Sequence, residues 1–488
     1  MPPPRALSPA NAAPRALSAR SVLALATASA ALGLAEAGAV RLASLYLYHE
    51  LAYAVVGAGL FALAMGALTA GRSPPFASQT TPLSGPLLLA ATTALSAAWL
   101  LPRSNLAWAL GLAIWPFAAH GAASGRAFLA CASPAARGKL YAAELIGACV
   151  GLVVLAPALV AWGGGAGILG AAAALFAVAA AIAAQGRRHR WLAGVLAFAA
   201  LAVWPMLEAK LPSPVGVARH LDAAVARDGA RALFSDEAIW ARTDLVVPLA
   251  DDAPALLYTD GLHVARAVPW DGENPAFQRP SLERMAALRR AALAPCAGGD
   301  VLVLAAGGGF EVIVALQAGA VHVDAVEVNG AMPRLLRAHA PHHASVLDDP
   351  RVSWHTAEGR HFVEQARAAL RSSDGVAAHK RWRCVLLGLV ETEPASLRGR
   401  AHIDGRLLTV EALQSLRDVL EPGGVVAVIH NEDSLGAASH AALNAVFGAD
   451  ATVAFALDDS AAINAARVLV AATTSAAAVT QDSGDGRA

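Results

Sequence analysis

Aspartate does not occur before position 222 in this 488-residue chain, and Glu36, Glu50, Glu144 and Glu208 are the only acids ahead of it. Charged residues make up 15% of the whole and hydrophobic ones 56%, with a mean hydropathy of +0.50. An average soluble domain carries about 25% charged residues, so the first part of the chain is unsuited to water. Beyond Asp222, aspartate, glutamate and arginine become frequent. Two halves for two solvents are expected: lipid first, water second. Other scarcities narrow the function. Net charge is zero, and no lysine–arginine run stands beside aromatics, so nucleic acid is excluded as a partner. Of four cysteines, Cys131 and Cys149 sit in apolar segments, while Cys296 and Cys384 lie far apart in the polar half. That is neither a disulfide framework nor a zinc spacing, and no metal is expected.

What the first half does have is apolar length. A helix needs about 20 residues to cross a bilayer core. Residues 21–47, 51–71, 84–101, 105–125, 140–162 and 164–184 qualify, and 191–207 ("WLAGVLAFAALAVWPML") is a shorter, uncharged seventh candidate. Glycine and alanine dominate these stretches, which predicts closely packed helices. A signal peptide over 1–40 is the rival reading, and the continuing apolar character argues against it. The arginines at 5, 15, 20, 72, 126, 137, 187, 188 and 190, with Lys139, all fall on one side, and Arg103 falls on the other. The positive-inside rule places the N-terminal tail, residues 1–20, in the cytoplasm. Six spans would then keep the polar half inside and seven would deliver it outside. A multi-pass protein of the cell (inner) membrane is expected, with the soluble domain cytoplasmic. Glu36, Arg41 and Glu144 fall within the spans and are expected to pair inside the bundle.

The polar half has a different rhythm. After the linker "EAKLPSP" (208–214), residues 215–300 read as small strands and turns, chiefly "LVVPL" and "ALLYTDGLHVARAV". From 301, strands alternate with helices: "VLVLA", a helix over 310–317, "VHVDAVEV", a helix over 331–340, "RVSWHTA", a helix over 360–370, "CVLLGLV", then a helix over 410–420 with Thr409 as N-cap. An "EPGG" turn leads into "VVAVIH", a helix over 434–446 and two more strands near 451–457 and 467–472. Such alternation predicts an α/β doubly wound, Rossmann-like domain over 301–473. The tail 474–488 is expected to be disordered.

"VLVLAAGGGF" (301–310) is therefore a strand and loop rather than a span. The nicotinamide pattern G-x-G-x-x-G fails, since the sixth position from Gly307 is Val312. What fits is a loop of Ala305, Gly307, Gly308 and Gly309 before a helix N-terminus, followed by an acid, Glu327, at the end of the second strand. Glycines let a ligand approach the backbone where free N–H groups point, and a carboxylate there can accept both hydroxyls of a ribose. Together with "AEGR" after the third strand, these features point to a class I S-adenosylmethionine-type domain, with a ligand-free scaffold as the plainer reading. "HAPHH" (339–343) lacks a carboxylate or cysteine at ligand spacing and reads as a solvated helix end.

Residues 240–430 resemble the polyamine aminopropyltransferases, the spermidine and spermine synthases, and in particular a bacterial branch with an N-terminal membrane bundle. "LLYTDG" (256–261), "VLVLAAGGG", "VDAVEVN" and "DDPRVSWHTAEGRHFV" (348–363) carry the resemblance, and "LYAAELIGACVG" (140–151) is similar to a helix of the fused branch. The resemblance implies S-adenosylmethionine or its decarboxylated form as donor, a small polyamine or amine as acceptor, and polyamine biosynthesis as the setting. Carried over, Gly307 and Gly309 line the nucleoside and methionine part, Glu327 holds the ribose, Glu358 with Gly359 lies by the adenine, and Asp260 stands near the substrate entrance. The chain departs from the pattern at its chemistry. The loop aspartate is Gly308, a tyrosine–histidine pair is Ser281–Leu282, and the catalytic aspartate falls at Leu389. Glu391 and Glu393, two and four residues later, are the candidate replacement carboxylates. Two functions follow: a membrane-anchored aminopropyl (or methyl) transferase, or a catalytically degenerate nucleoside sensor coupled to the bundle. A small transporter with an accessory domain is a third, disfavoured because no polar stripe crosses the spans. The bilayer and a second copy of the chain complete the expected partners.

Overall fold

The computed structural model describes residues 18–46, 50–72, 83–100, 106–131, 133–209, 230–237, 242–250, 253–259, 262–273, 280–372, 380–388, 407–430, 433–456 and 467–472. The chain divides into two compact units, Met1–Gly216 with Glu237–Arg242, and Val217–Asp236 with Thr243–Ala488.

The first unit is helical: α1 (Ala19–Tyr46), α2 (Glu50–Arg72), α3 (Ser84–Leu100), α4 (Leu106–Ala130), α5 (Pro134–Cys149), a π-helical stretch (Val150–Leu155), α6 (Ala156–Ala183) and α7 (Arg187–Ala209). Among the described residues, Ala19–Ala43, Pro134–Val160 and Gly164–Ala183 are long and apolar enough to cross a membrane, and Ala54–Ala70 and Ser84–Ala98 are shorter apolar helices. The small residues serve packing, as their abundance predicts. A methyl group on Gly147 or Gly151 would lie 2.1 Å from the carbonyl oxygen of Ala26 or Ala30, and one on Gly121 would lie 2.1 Å from that of Leu63. Backbones touch at these points, and only glycine permits it.

The same contacts give the helix directions. Along α1 and α5, Ala26 meets Gly147 and Ala30 meets Gly151, so the two run parallel. Along α2 and α4, Leu63 meets Gly121 and Ala67 meets Gly125, again parallel. The α6 segment runs the other way along α1. Gly165 lies on Arg41 and Leu42, while Arg20 at the start of α1 donates 3.0 Å to the Ala184 carbonyl at the end of α6. The reversal between Val160 and Gly165 falls at a glycine run in which Gly164 takes φ +50°. Helix α7 follows α6 after a short turn and buries Ala193 and Ala200 in the bundle core. It is a packed member of the bundle, which its shortness in sequence left open. Of the ionisable groups inside the apolar helices, Glu144 accepts from Ser124 Oγ at 2.6 Å. His120, which drew no notice in sequence, is buried with Nε2 3.4 Å from Ser29 Oγ.

The second unit holds two sheets. A four-stranded sheet is ordered β1 (Ala230–Glu237), β2 (Arg242–Pro248), β3 (Ala255–Thr259), β4 (Leu262–Ala267). A seven-stranded sheet is built from β5 (Asp300–Leu304), β6 (His322–Glu327), β7 (Val352–Thr356), β8 (Trp382–Leu387), β9 (Leu420–His430), β10 (Thr452–Ala456) and β11 (Arg467–Ala472), in the order β10-β11-β9-β8-β5-β6-β7. Strands β5 to β9 pair in parallel, while β11 is antiparallel to both neighbours. The helices α8 (Pro280–Ala292), α9 (Phe310–Gln317), α10 (Ala331–His339), α11 (Gly359–Ser372), α12 (Val410–Val419) and α13 (Asp433–Phe447) cover its two faces. Val301 and Val303 of β5 point into one core, shared with the small sheet, α8 and α9, and Leu302 and Leu304 into the other. That double burial is why the strand reads as a continuous apolar run. The Rossmann-like alternation is thus realised. Two local expectations need correcting. Residues 215–300 contain α8 as well as strands, its amphipathic spacing hidden by arginines. "EPGG" is not a separate turn but part of β9, whose pairing with β8 shifts register between Trp382 and Cys384 while Gly423 takes φ +81°.

The third correction concerns sulfur. Cys296, in the turn before β5, and Cys384, in β8, form a disulfide with Cα atoms 5.6 Å apart, and both are buried. They are 88 residues apart in sequence, a separation that spacing rules do not register but that β5–β8 pairing closes.

Candidate functional site

The sheet order reverses between β5 and β8: from β5 the chain crosses to β6 on one side, and later to β8 on the other. Ligands of open parallel sheets bind outside the carboxyl ends of the strands at such a switch point. The loop after β5 lies there. Ala305 takes φ +57°, a left-handed conformation costly for a residue with a Cβ, and Gly307 and Gly309 follow at +54° and +89°. Strain of this kind gathers at ligand sites. The loop is bound on two sides: Ala306 N–H donates to Val326 O at 3.1 Å and Gly309 N–H to Ala306 O at 2.8 Å.

Glu327 ends β6 beside this loop and is buried. Its Oε2 accepts from Gly307 N–H at 2.8 Å and its Oε1 from Asn329 N–H at 2.8 Å. Burial pushes its carboxyl above the ordinary glutamate value, opposed by the N–H groups of Asn329, Gly307 and Val328. A carboxylate has about four acceptor sites, so these N–H groups leave at least one free for a ribose hydroxyl. Ala357 N–H donates to Glu327 O at 3.1 Å and brings the end of β7 alongside. There the Glu358 carboxylate accepts from Arg360 N–H at 3.1 Å and His361 N–H at 2.8 Å, capping α11. Its first role is thus structural, and Gly359 packs against Leu407 and Leu304.

Ala305, Gly307, Gly308, Gly309 and Glu327 are therefore brought together, with Glu358 on the neighbouring strand end. Asp260, Leu389, Glu391 and Glu393 lie outside the described residues. The reason for the glycines differs from expectation. A Cβ on Gly307 would lie 2.7 Å from Ala265 Cβ, and one on Gly308 would lie 2.3 Å from Arg266 O. Strand β4 presses on the loop, so these glycines make room for protein backbone before any ligand. The space left beside Ala265, Arg266, Arg289, Ala305, Gly307, Phe310 and Glu311 is about 30 Å³, enough for a water or two. That space is too small for the methionine tail of a sulfonium donor, which would require β4 to give way.

Asn329 is the site residue that sequence reasoning missed. Fully buried, it donates from Nδ2 to Thr243 Oγ1 at 2.8 Å and accepts from Ala331 N–H at 3.1 Å. It ties the end of β6 to the small sheet. An asparagine directly after an acidic strand end was the available signal. In "HAPHH", His339 and His342 are exposed, as a solvated helix end requires, with His339 stacked on Phe234 at a ring-centroid distance of 3.7 Å, while His343 is buried and lies 2.8 Å from Ala253 O. Among the described residues no three histidine, cysteine or acidic side chains converge as a metal site.

A charged lock closes the far rim of the small sheet. Asp349 accepts from Arg351 Nη2 at 2.8 Å and Trp270 Nε1 at 2.9 Å. The Arg351 guanidinium, ahead of the Trp270 N–H, lowers the Asp349 carboxyl to about 2. A depressed carboxyl stabilises the fold above the ordinary aspartate range, and that stability is lost as pH falls toward 2. Because Arg351 is partly exposed, the contribution is about 1–2 kcal/mol. Asp349→Asn is expected to lower the thermal midpoint of the second unit at pH 7, with the difference from wild type closing as the pH falls from 4 to 2.

No protein-family profile matches the chain, and no curated protein matches it by sequence. Among solved structures, the chain is similar to the spermidine synthase from Thermotoga maritima, with 15% identity and a TM-score of 0.37 over 51% of this chain and 75% of that one. A spermidine synthase in complex with the transition-state analogue AdoDATO aligns at 16% identity and TM-score 0.35, over 51% and 74%. Human methyltransferase-like protein 13 in complex with SAH aligns at 17% and 0.30, over 42% and 86%. At such values the fold assignment rests on the strand order described above.

Proposed function

We propose that the second unit is a nucleoside-binding domain of spermidine-synthase-like architecture, anchored by a multi-pass helical bundle in the cell membrane. The observation that carries the reading is the buried Glu327 carboxylate at the switch point, bonded to the glycine loop with acceptor capacity to spare. S-adenosylmethionine, its decarboxylated form and methylthioadenosine share the ribose it would hold. Titration calorimetry of the detergent-solubilised full chain with these three is expected to show binding, and Glu327→Ala is expected to weaken it at least 100-fold, as loss of a charged acceptor for a ribose hydroxyl would do. A folded chain that binds none of them overturns the reading.

Transfer of an aminopropyl or methyl group to an amine is a second reading, favoured by one observation. Gly388, the last described residue before Leu389, donates to Leu304 O at 2.9 Å, so β8 delivers the chain to the crevice edge three and five residues before Glu391 and Glu393. A bound sulfonium donor supplies an electrophilic carbon, and the protein must supply a base that keeps the amine neutral. If a glutamate serves, Glu391→Gln with Glu393→Gln is expected to lower amine alkylation about 100-fold or more while leaving nucleoside affinity within twofold. Equal activity in the double variant would remove both residues from the chemistry.

A further inference from the structure

We infer that the second unit folds on the outer side of the membrane, and that Cys296 and Cys384 are joined there by oxidation into a permanent structural disulfide. This reverses the cytoplasmic placement expected from the cofactor, and three independent observations lead to it. The first is direction. Parallel α1 and α5, parallel α2 and α4, and an α6 segment antiparallel to α1 are the alternation that successive crossings produce through α6, which a seventh would continue. The second is the seventh helix. Its Ala193 and Ala200 pack into the bundle core, and a seventh crossing alongside the helix it follows is the reading we adopt, although the described part of α7 is not itself among the helices long and apolar enough to span. The Arg20–Ala184 hydrogen bond puts the start of α1 at the same end of the bundle as the turn before α7. In the order of the sequence, the arginines at 5, 15, 20, 72, 126, 137, 187, 188 and 190 and Lys139 precede or follow the apolar stretches on that side, whereas Arg103 and Lys210 fall on the opposite side. Basic residues stay in the cytoplasm, so α7 leads outward.

The third observation is chemical and comes from the other unit. Buried disulfides persist outside the cytoplasm, where thiols are not held reduced. Forming this one removes two protons and two electrons from two thiols and makes one S–S bond. The electrons pass by thiol–disulfide exchange to an exogenous protein disulfide, which leaves as a dithiol. Both sulfurs are enclosed once the sheet has formed, so the bond is made during folding and then protected. Cys131 and Cys149, in the bundle, stay free. The placement does not depend on what the crevice binds. It does count against transfer from a cytoplasmic sulfonium donor and favours recognition of a nucleoside present outside.

The test uses the full chain in a bacterial host. Alkaline phosphatase, active only after export, and green fluorescent protein, fluorescent only inside, are fused in turn after Ala488 and after Gln185. Phosphatase activity is expected at Ala488, and fluorescence at Gln185, where α7 is missing. In parallel, acid-quenched and denatured full chain is labelled with a polyethylene-glycol maleimide. Two additions are expected before reduction and four after it, and Cys296→Ala/Cys384→Ala should give two in both cases. Fluorescence with no phosphatase activity at Ala488 overturns the placement. Four additions before reduction overturn the disulfide. Nucleoside titration is read separately, so either idea can fail alone.

Discussion

Replacing Arg289 with methionine is expected to destabilise the second unit by about 3–5 kcal/mol, the usual consequence of orphaning one member of a buried ion pair. Arg289 is 2% exposed, its Nη1 donates to Glu311 Oε1 at 2.7 Å, and its guanidinium lies over the Phe310 ring, 5.0 Å from the centroid. Its Nε has no hydrogen-bond partner, so the Glu311 carboxylate and the ring carry the compensation for burial. Without Arg289, Glu311 remains behind the glycine loop as an uncompensated charge. The partner test is Arg289→Met with Glu311→Leu, which should recover most of the loss because a packed apolar pair of similar volume can match a buried salt bridge. Urea midpoints of the second unit in the solubilised chain would show both. A single variant within about 0.5 kcal/mol of wild type, the range of an ordinary surface change, would mean that the pair contributes little.

The disulfide carries the second large effect. For a closed loop of the 88-residue separation seen here, the chain-entropy account gives about 4.6 kcal/mol of stabilisation. Cys296→Ala/Cys384→Ala is expected to lose an amount of that order, read as a lower urea midpoint, with reduction of the wild type giving a similar shift. The loop includes β5, β6, β7 and the glycine loop, so the restraint falls on the site itself. Nucleoside affinity in the double variant should fall less than stability does, since no ligand-facing group is removed.

Much of the architecture was legible because its signals are local. Apolar length marked the helices of the first unit. The boundary of α9 followed from Gly309 and Gly319, and Thr409 capped α12 by accepting from Ala412 N–H at 3.2 Å. The glycine loop and Glu327 were legible for the same reason: a strand end, a tight turn and an acid after the next strand are sequence-local events. Helix α8 was hidden because Arg289, inside its apolar face, is buried by pairing with a residue 22 positions away.

What the sequence by itself determined is the division into an apolar helical half and a polar half, the α/β alternation and the position of the glycine loop, since periodicity and turn chemistry act over a few residues. Only the tertiary structure decided what the long-range partners do. It showed that β4 rather than a ligand demands Gly307 and Gly308, that Asn329 anchors the small sheet, that α7 belongs to the bundle, and that Cys296 meets Cys384. Each depends on two segments brought together by sheet pairing or helix packing, and neither segment carries a mark of the other.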